Sequence, residues 1–138
     1  MKIRVYKSKR ELQILDEIGD FVKLYRISLG FNPIGHKEKE GDGKTPEGVY
    51  QLIKNPGTLH PLGYMITYPT AEQTAEAHLK GIDPGFDILI HGFSPKTRHK
   101  GQDHWKEDWT RGCIAVTDEE LLEIRKLVPF GSSVEILP

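Results

Sequence analysis

Sulfur is nearly absent from this chain. One cysteine, Cys113, stands among 138 residues, which excludes an intramolecular disulfide framework and any all-cysteine metal site. No stretch approaches the roughly 20 apolar residues of a membrane-spanning helix, so no span is expected. Neither sign of charge dominates. With 19 basic and 20 acidic residues the formal net charge is −1, which leaves no bulk electrostatic footprint for nucleic acid. The opening Met1-Lys2-Ile3-Arg4-Val5-Tyr6 lacks the apolar core of a secretory signal. The expectation is a cytosolic protein, or one whose leader lies outside this chain.

What the chain does have is turns. Fourteen glycines and nine prolines imply many reversals and few long helices. Ile3 and Val5 alternate with polar residues, Lys7-Ser8-Lys9-Arg10 reads as a turn, and Leu12 and Ile14 resume the alternation. Gly19-Asp20 is a second turn, and Phe21 to Leu29 follows as a strand. Residues 30–48 carry five glycines and two prolines and read as a long surface loop. Short strands are expected at Val49–Ile53, Tyr64–Tyr68 and Phe86–Ile90, the last running into His91. Thr70 with Gln73, and Thr117 with Glu120, form capping boxes that open two helices. Gly81 stops the first; Pro129 ends the second, whose apolar face is Leu121, Ile124 and Val128. Ser133–Leu137 is a last strand. The expectation is one domain over 1–138, mainly β with a few short helices.

Two features carry chemistry. His91-Gly92 ends an apolar strand, and Thr110-Arg111-Gly112-Cys113-Ile114 precedes a capped helix, with His91 and Cys113 22 positions apart. A cysteine nucleophile needs a base, donors for an oxyanion and a partly open setting. His91 fits the base, since imidazole titrates near neutrality. The amides of Gly112 and Cys113 are candidate oxyanion donors, and the Gly92 carbonyl is a candidate to orient the ring. The competing reading is structural. A lone cysteine beside Ile114 and Val116 is commonly a small buried hydrophobe, and a strand-end histidine before glycine commonly packs.

The same residues resemble the active-site signature of the L,D-transpeptidase (YkuD-like) family: a histidine followed by a small residue, then Ser or Thr, a variable residue, Gly, Cys and an aliphatic residue. Gly43-Lys44-Thr45-Pro46-Glu47-Gly48 is similar to that family's Lys-x-Thr-Pro-x-Gly segment. The resemblance runs from about Ile3 to Ile136. It implies a β-sandwich or barrel with a few helices, Cys113 as nucleophile, His91 as base, and Gly92 as the residue whose carbonyl orients the histidine. The implied substrates are peptidoglycan stem peptides, cleaved after their third residue and joined to an amine, without ATP, metal or other cofactor. It also implies a place in the cell envelope and acylation by carbapenems.

Two positions depart from the common pattern: Arg111, where many members have histidine, and Ala115, where many have Asn or Arg. Arg111 suits a forked contact to a substrate carboxylate, and Thr110 and Trp109 flank it as further substrate-binding candidates. The intervening loop, with Lys96, Arg98, His99, Lys100, His104, Trp105 and Trp109, reads as a cationic, aromatic lid over an anionic peptide, or as a solvated loop. A metal site there would recruit His91, His99, Asp103 and His104, but the five-residue spacing of His99 and His104 fits no strong zinc motif. Thr45-Pro46-Glu47-Gly48 suits a turn into the Val49 strand. His36, His60 and His78 carry no pattern and read as surface or packing residues. Readings that compete with acyl transfer are a hydrolase on the same scaffold, a silent wall-peptide binding module, and a metal-dependent hydrolase.

Overall fold

The computed structural model describes residues 1–138. Alternation of apolar and polar residues builds β1 (Lys2–Tyr6) and β2 (Glu11–Leu15), each burying every second side chain. They pair antiparallel, and β2 pairs antiparallel with β3 (Phe21–Arg26). After the long loop come β4 (Gly48–Lys54), β5 (Tyr64–Ile66), α1 (Ala71–Leu79), β6 (Leu89–His91), β7 (Ile114–Ala115), α2 (Asp118–Leu127) and β8 (Ser133–Leu137). The eight strands lie in the order β3-β2-β1-β8-β4-β5-β6-β7. The two ends of the chain meet inside the sheet, where β8 pairs parallel with β1 and antiparallel with β4.

The expected strand to Leu29 stops at Arg26. Beyond it Ser28 bridges Ala115 and Gly30 bridges Thr110, so the chain leaves β2 to pair with the far end of the sheet. Those bridges bring the two sheet edges together, and the sheet curls toward a barrel. The Phe86–Ile90 strand also shortens, to Leu89–His91. Asp87 has φ +57°, which breaks a strand, and Phe86 lies exposed. The region expected to be irregular, 92–112, holds a 3₁₀ segment over Arg98–Lys106, interrupted at Gly101.

Both capping boxes form, on Thr70/Gln73 and Thr117/Glu120. α1 buries only Ala77, whereas α2 buries Leu121 and Ile124. Those two join Ile3, Leu12, Leu52, Ile90 and Ile114 in the main core. Each such side chain contributes roughly 1.5–3 kcal/mol on burial. Tyr64 of β5 donates its hydroxyl to the Val128 carbonyl at 2.7 Å, which ties the end of α2 to the sheet.

Candidate active site

β6 and β7 run parallel, with Ile90 opposite Ile114 and His91 opposite Ala115. Alternation along a strand puts residues two apart on the same face, and the same register sets Cys113 beside Leu89. The Leu89 amide accordingly donates to the Cys113 sulfur at 3.4 Å, and the thiol donates to the Asp87 carbonyl at 3.5 Å. The sheet therefore delivers Cys113 and His91 to neighbouring strands. No hydrogen bond joins the sulfur to the ring in this conformation.

His91 is buried, and its Nδ1 lies 2.6 Å from the Gly92 carbonyl oxygen. That contact requires a proton on Nδ1, which leaves Nε2 as the basic nitrogen. Gly92 lacks a Cβ for a packing reason: one built there would lie 2.2 Å from Asp118 Oδ1, an oxygen that accepts from the Phe93 amide at 2.8 Å. Glycine thus lets the start of α2 close against the histidine strand.

Burial dominates both ionisations. It pushes the Cys113 thiol up to about 11, with Asp87 adding in the same direction, and holds the His91 imidazole down to about 4. At neutral pH the resting pair is a neutral thiol and a neutral imidazole.

The turn before Cys113 is stitched by one hydroxyl. Thr110 Oγ1 accepts from the Gly112 amide at 3.1 Å and donates to the Cys113 carbonyl at 2.7 Å. Gly112 sits at φ +139°, and a Cβ there would approach the Lys44 carbonyl oxygen to 2.8 Å. This corrects two expectations. The Gly112 amide is committed to Thr110 and not free for an oxyanion, whereas the Cys113 amide has no partner within the protein. Thr110, buried, shapes the turn before Cys113 and does not line the cleft.

Cys113 and Arg111 line a cleft of about 550 Å³, with Lys37, Glu40, His60, Phe86 and Asp87 among its other walls. Arg111 is exposed and has no carboxylate partner. Lys37, by contrast, is buried and paired with Asp42 at 2.9 Å, so its charge is already met. No residue of 93–110 lines this cleft. Trp109 instead packs edge-on against His91 at 6.1 Å and against Phe93 and His104. It walls in the histidine and does not line the cleft. His104 is buried, its Nδ1 2.8 Å from the Ser28 hydroxyl, and no three His, Cys, Asp or Glu side chains stand close enough to hold a metal.

Ala115, the other departure, is fully buried opposite His91 and bridged to Ser28, away from the cleft. His60 is the residue missed from sequence. Its ring stacks on His91, centroids 4.0 Å apart and 16° from parallel. No spacing or pattern ties positions 60 and 91; only the turn that ends at Gly63 and enters β5 brings them together.

The family model for the L,D-transpeptidase catalytic domain, YkuD, matches residues 1–136. YafK of Escherichia coli K12 is 26% identical over 132 residues, which cover 91% of this chain and 46% of that protein. The helical cell shape determining protein Pgp2 of Campylobacter jejuni superposes with a TM-score of 0.73 at 27% identity, over 97% of this chain and 46% of that one. An L,D-transpeptidase of Stackebrandtia nassauensis shares the fold at a TM-score of 0.63 and 12% identity, over 99% of this chain and 55% of its own. The chain thus spans about half the length of these relatives. With residues 1–136 matched, the curled eight-stranded sheet and the His91-Gly92 and Thr110–Cys113 segments identify the chain as a member of the L,D-transpeptidase (YkuD) catalytic-domain family.

Proposed function

We propose that this chain is a cysteine acyltransferase acting on peptidoglycan stem peptides in the cell envelope. The observation that carries the reading is the His91 Nδ1 contact to the Gly92 carbonyl, 2.6 Å long, on the strand next to a cleft-lining Cys113. It leaves Nε2 as a base whose tautomer is set by the main chain. Cys113 Sγ attacks the carbonyl carbon of the stem's third residue, and a C–S bond forms as His91 takes the thiol proton. The Cys113 amide faces the developing oxyanion. The C–N bond then breaks and D-alanine departs with the proton from His91. An acceptor amine attacks the thioester, a new C–N bond replaces C–S, and the amine's proton returns by way of His91 to the sulfur. No metal or cofactor enters these steps.

One observation favours a second reading. Because the 93–110 loop does not cover the Cys113 cleft, water has a path to the acyl-enzyme, and hydrolysis to a tripeptide is the alternative outcome. Mass spectrometry of a tetrapeptide stem incubated with enzyme and saturating amine acceptor separates the two. A dimer one D-alanine short of twice the monomer is expected. Tripeptide alone moves the assignment to a hydrolase, and an unchanged stem, or full activity in Cys113→Ser, removes the cysteine mechanism.

A further inference from the structure

The placement of His60 is costly and closely held. It is a non-glycine residue at φ +53°, a region where histidine is tolerated better than most side chains but is still uncommon. Such strain persists where surrounding structure imposes it. Here the imposition is visible. The His60 carbonyl accepts from Asn55 Nδ2 at 3.0 Å and from the Gly63 amide at 2.9 Å. Asn55, itself buried, also donates to the Leu59 carbonyl and accepts from the Gly57 amide. One asparagine thus fixes the turn that presents His60.

The turn aims the ring at a single target. His60 lies parallel to His91 with centroids 4.0 Å apart, while Trp109 meets the same imidazole edge-on at 6.1 Å. His60 also lines two clefts, the one that holds Cys113 and a second of about 280 Å³ beside Gly92, Phe93 and Asp118. It is the wall between them at the level of the base.

Building on the Cys113–His91 mechanism above, we infer that His60 is a positioning residue: its ring caps one face of His91 and holds the imidazole plane for proton transfer with Cys113. The Gly92 carbonyl fixes one edge of the ring, but a hydrogen bond at one nitrogen leaves the ring free to rock about that contact. A flat partner on its face removes that freedom and keeps water from it. Burial holds His60 below the ordinary imidazole range, with Asp118 acting in the opposite direction. A charge on His60 opposes the imidazolium that forms when His91 takes a proton, and burial acts against that charge.

The test measures S-alkylation of Cys113 by iodoacetamide, which needs no knowledge of the peptide substrate, in the intact chain. His60→Asn keeps a residue that accepts the left-handed backbone but removes the ring; His60→Phe keeps a flat ring. His60→Asn is expected to slow alkylation about tenfold or more, as misplacement of a catalytic group does, and His60→Phe to restore it to within about threefold. In the His91→Gln background, His60→Asn is expected to change the rate by less than about twofold, because the two residues act as one unit. Wild-type alkylation in His60→Asn, or equal losses in Asn and Phe variants, overturns the positioning role. So does a full, additive loss in the double variant. If His91→Gln alone alkylates like the wild type, the underlying pairing fails as well, and that outcome is read separately from the others.

Discussion

Arg111 occupies the cleft beside Cys113 with an exposed guanidinium and no acidic partner, so the fork remains available to a ligand. A charged hydrogen bond of that type contributes about 1.5–3 kcal/mol. Arg111→Ala is expected to raise the KM of a tetrapeptide donor about tenfold or more, with kcat less affected if the contact is equal in ground and transition states. Arg111→Lys should recover little, because an ammonium cannot reproduce the fork; steady-state kinetics on the three proteins decide it. At this scale the sequence was informative where chemistry is local. Cys113 is the only thiol, and Gly92 follows its histidine directly, so their relation needed no fold to be suspected. Thr110, Trp109 and Gly112 were legible as neighbours of Cys113 but not in their parts. Whether a hydroxyl reaches substrate or closes its own turn depends on backbone torsions that adjacency does not specify.

The helices were the most readable elements, since a capping box is a short-range pattern in which side chain and backbone satisfy each other within four residues. Both form as expected. The strands near the site were less so, because β6 is only three residues long and is defined by its partners. The turn before Cys113 offers a test at the level of the element. Thr110→Val keeps the volume and removes the hydroxyl that holds the Gly112 amide and the Cys113 carbonyl. Leaving such groups unmet costs about 1–3 kcal/mol. A lower urea midpoint is expected together with slower Cys113 alkylation. A loss of stability with no change in alkylation would mean that the turn braces the fold without aiming the thiol.

Across the whole molecule, buried histidines make stability depend on pH. His91 and His104 are each held down to about 4 by burial, against an ordinary value near 6.5 in the unfolded chain. Between these values the unfolded state binds more protons, so stability rises with pH across about 4 to 6.5 and is lost as pH falls through that window. The slope is at most about 1.4 kcal/mol per pH unit for each histidine. Urea midpoints measured from pH 7 to 4 are expected to fall, and less steeply in His104→Gln if that variant folds; a flat profile would show that neither ring is buried neutral. The sequence by itself determined the kind of domain, its two capped helices, and the candidate residues Cys113, His91 and Gly92, because each rests on composition or on contacts within a few residues. The tertiary structure alone decided the rest. Pairing of β6 with β7 brings together positions 91 and 113, which lie 22 positions apart in the chain. The Ser28–Ala115 bridge curls the sheet, Trp109 turns away from the cleft, and His60 comes to rest on His91. These are contacts between segments far apart in the chain, and their free energy comes from burial and main-chain pairing that no local pattern encodes.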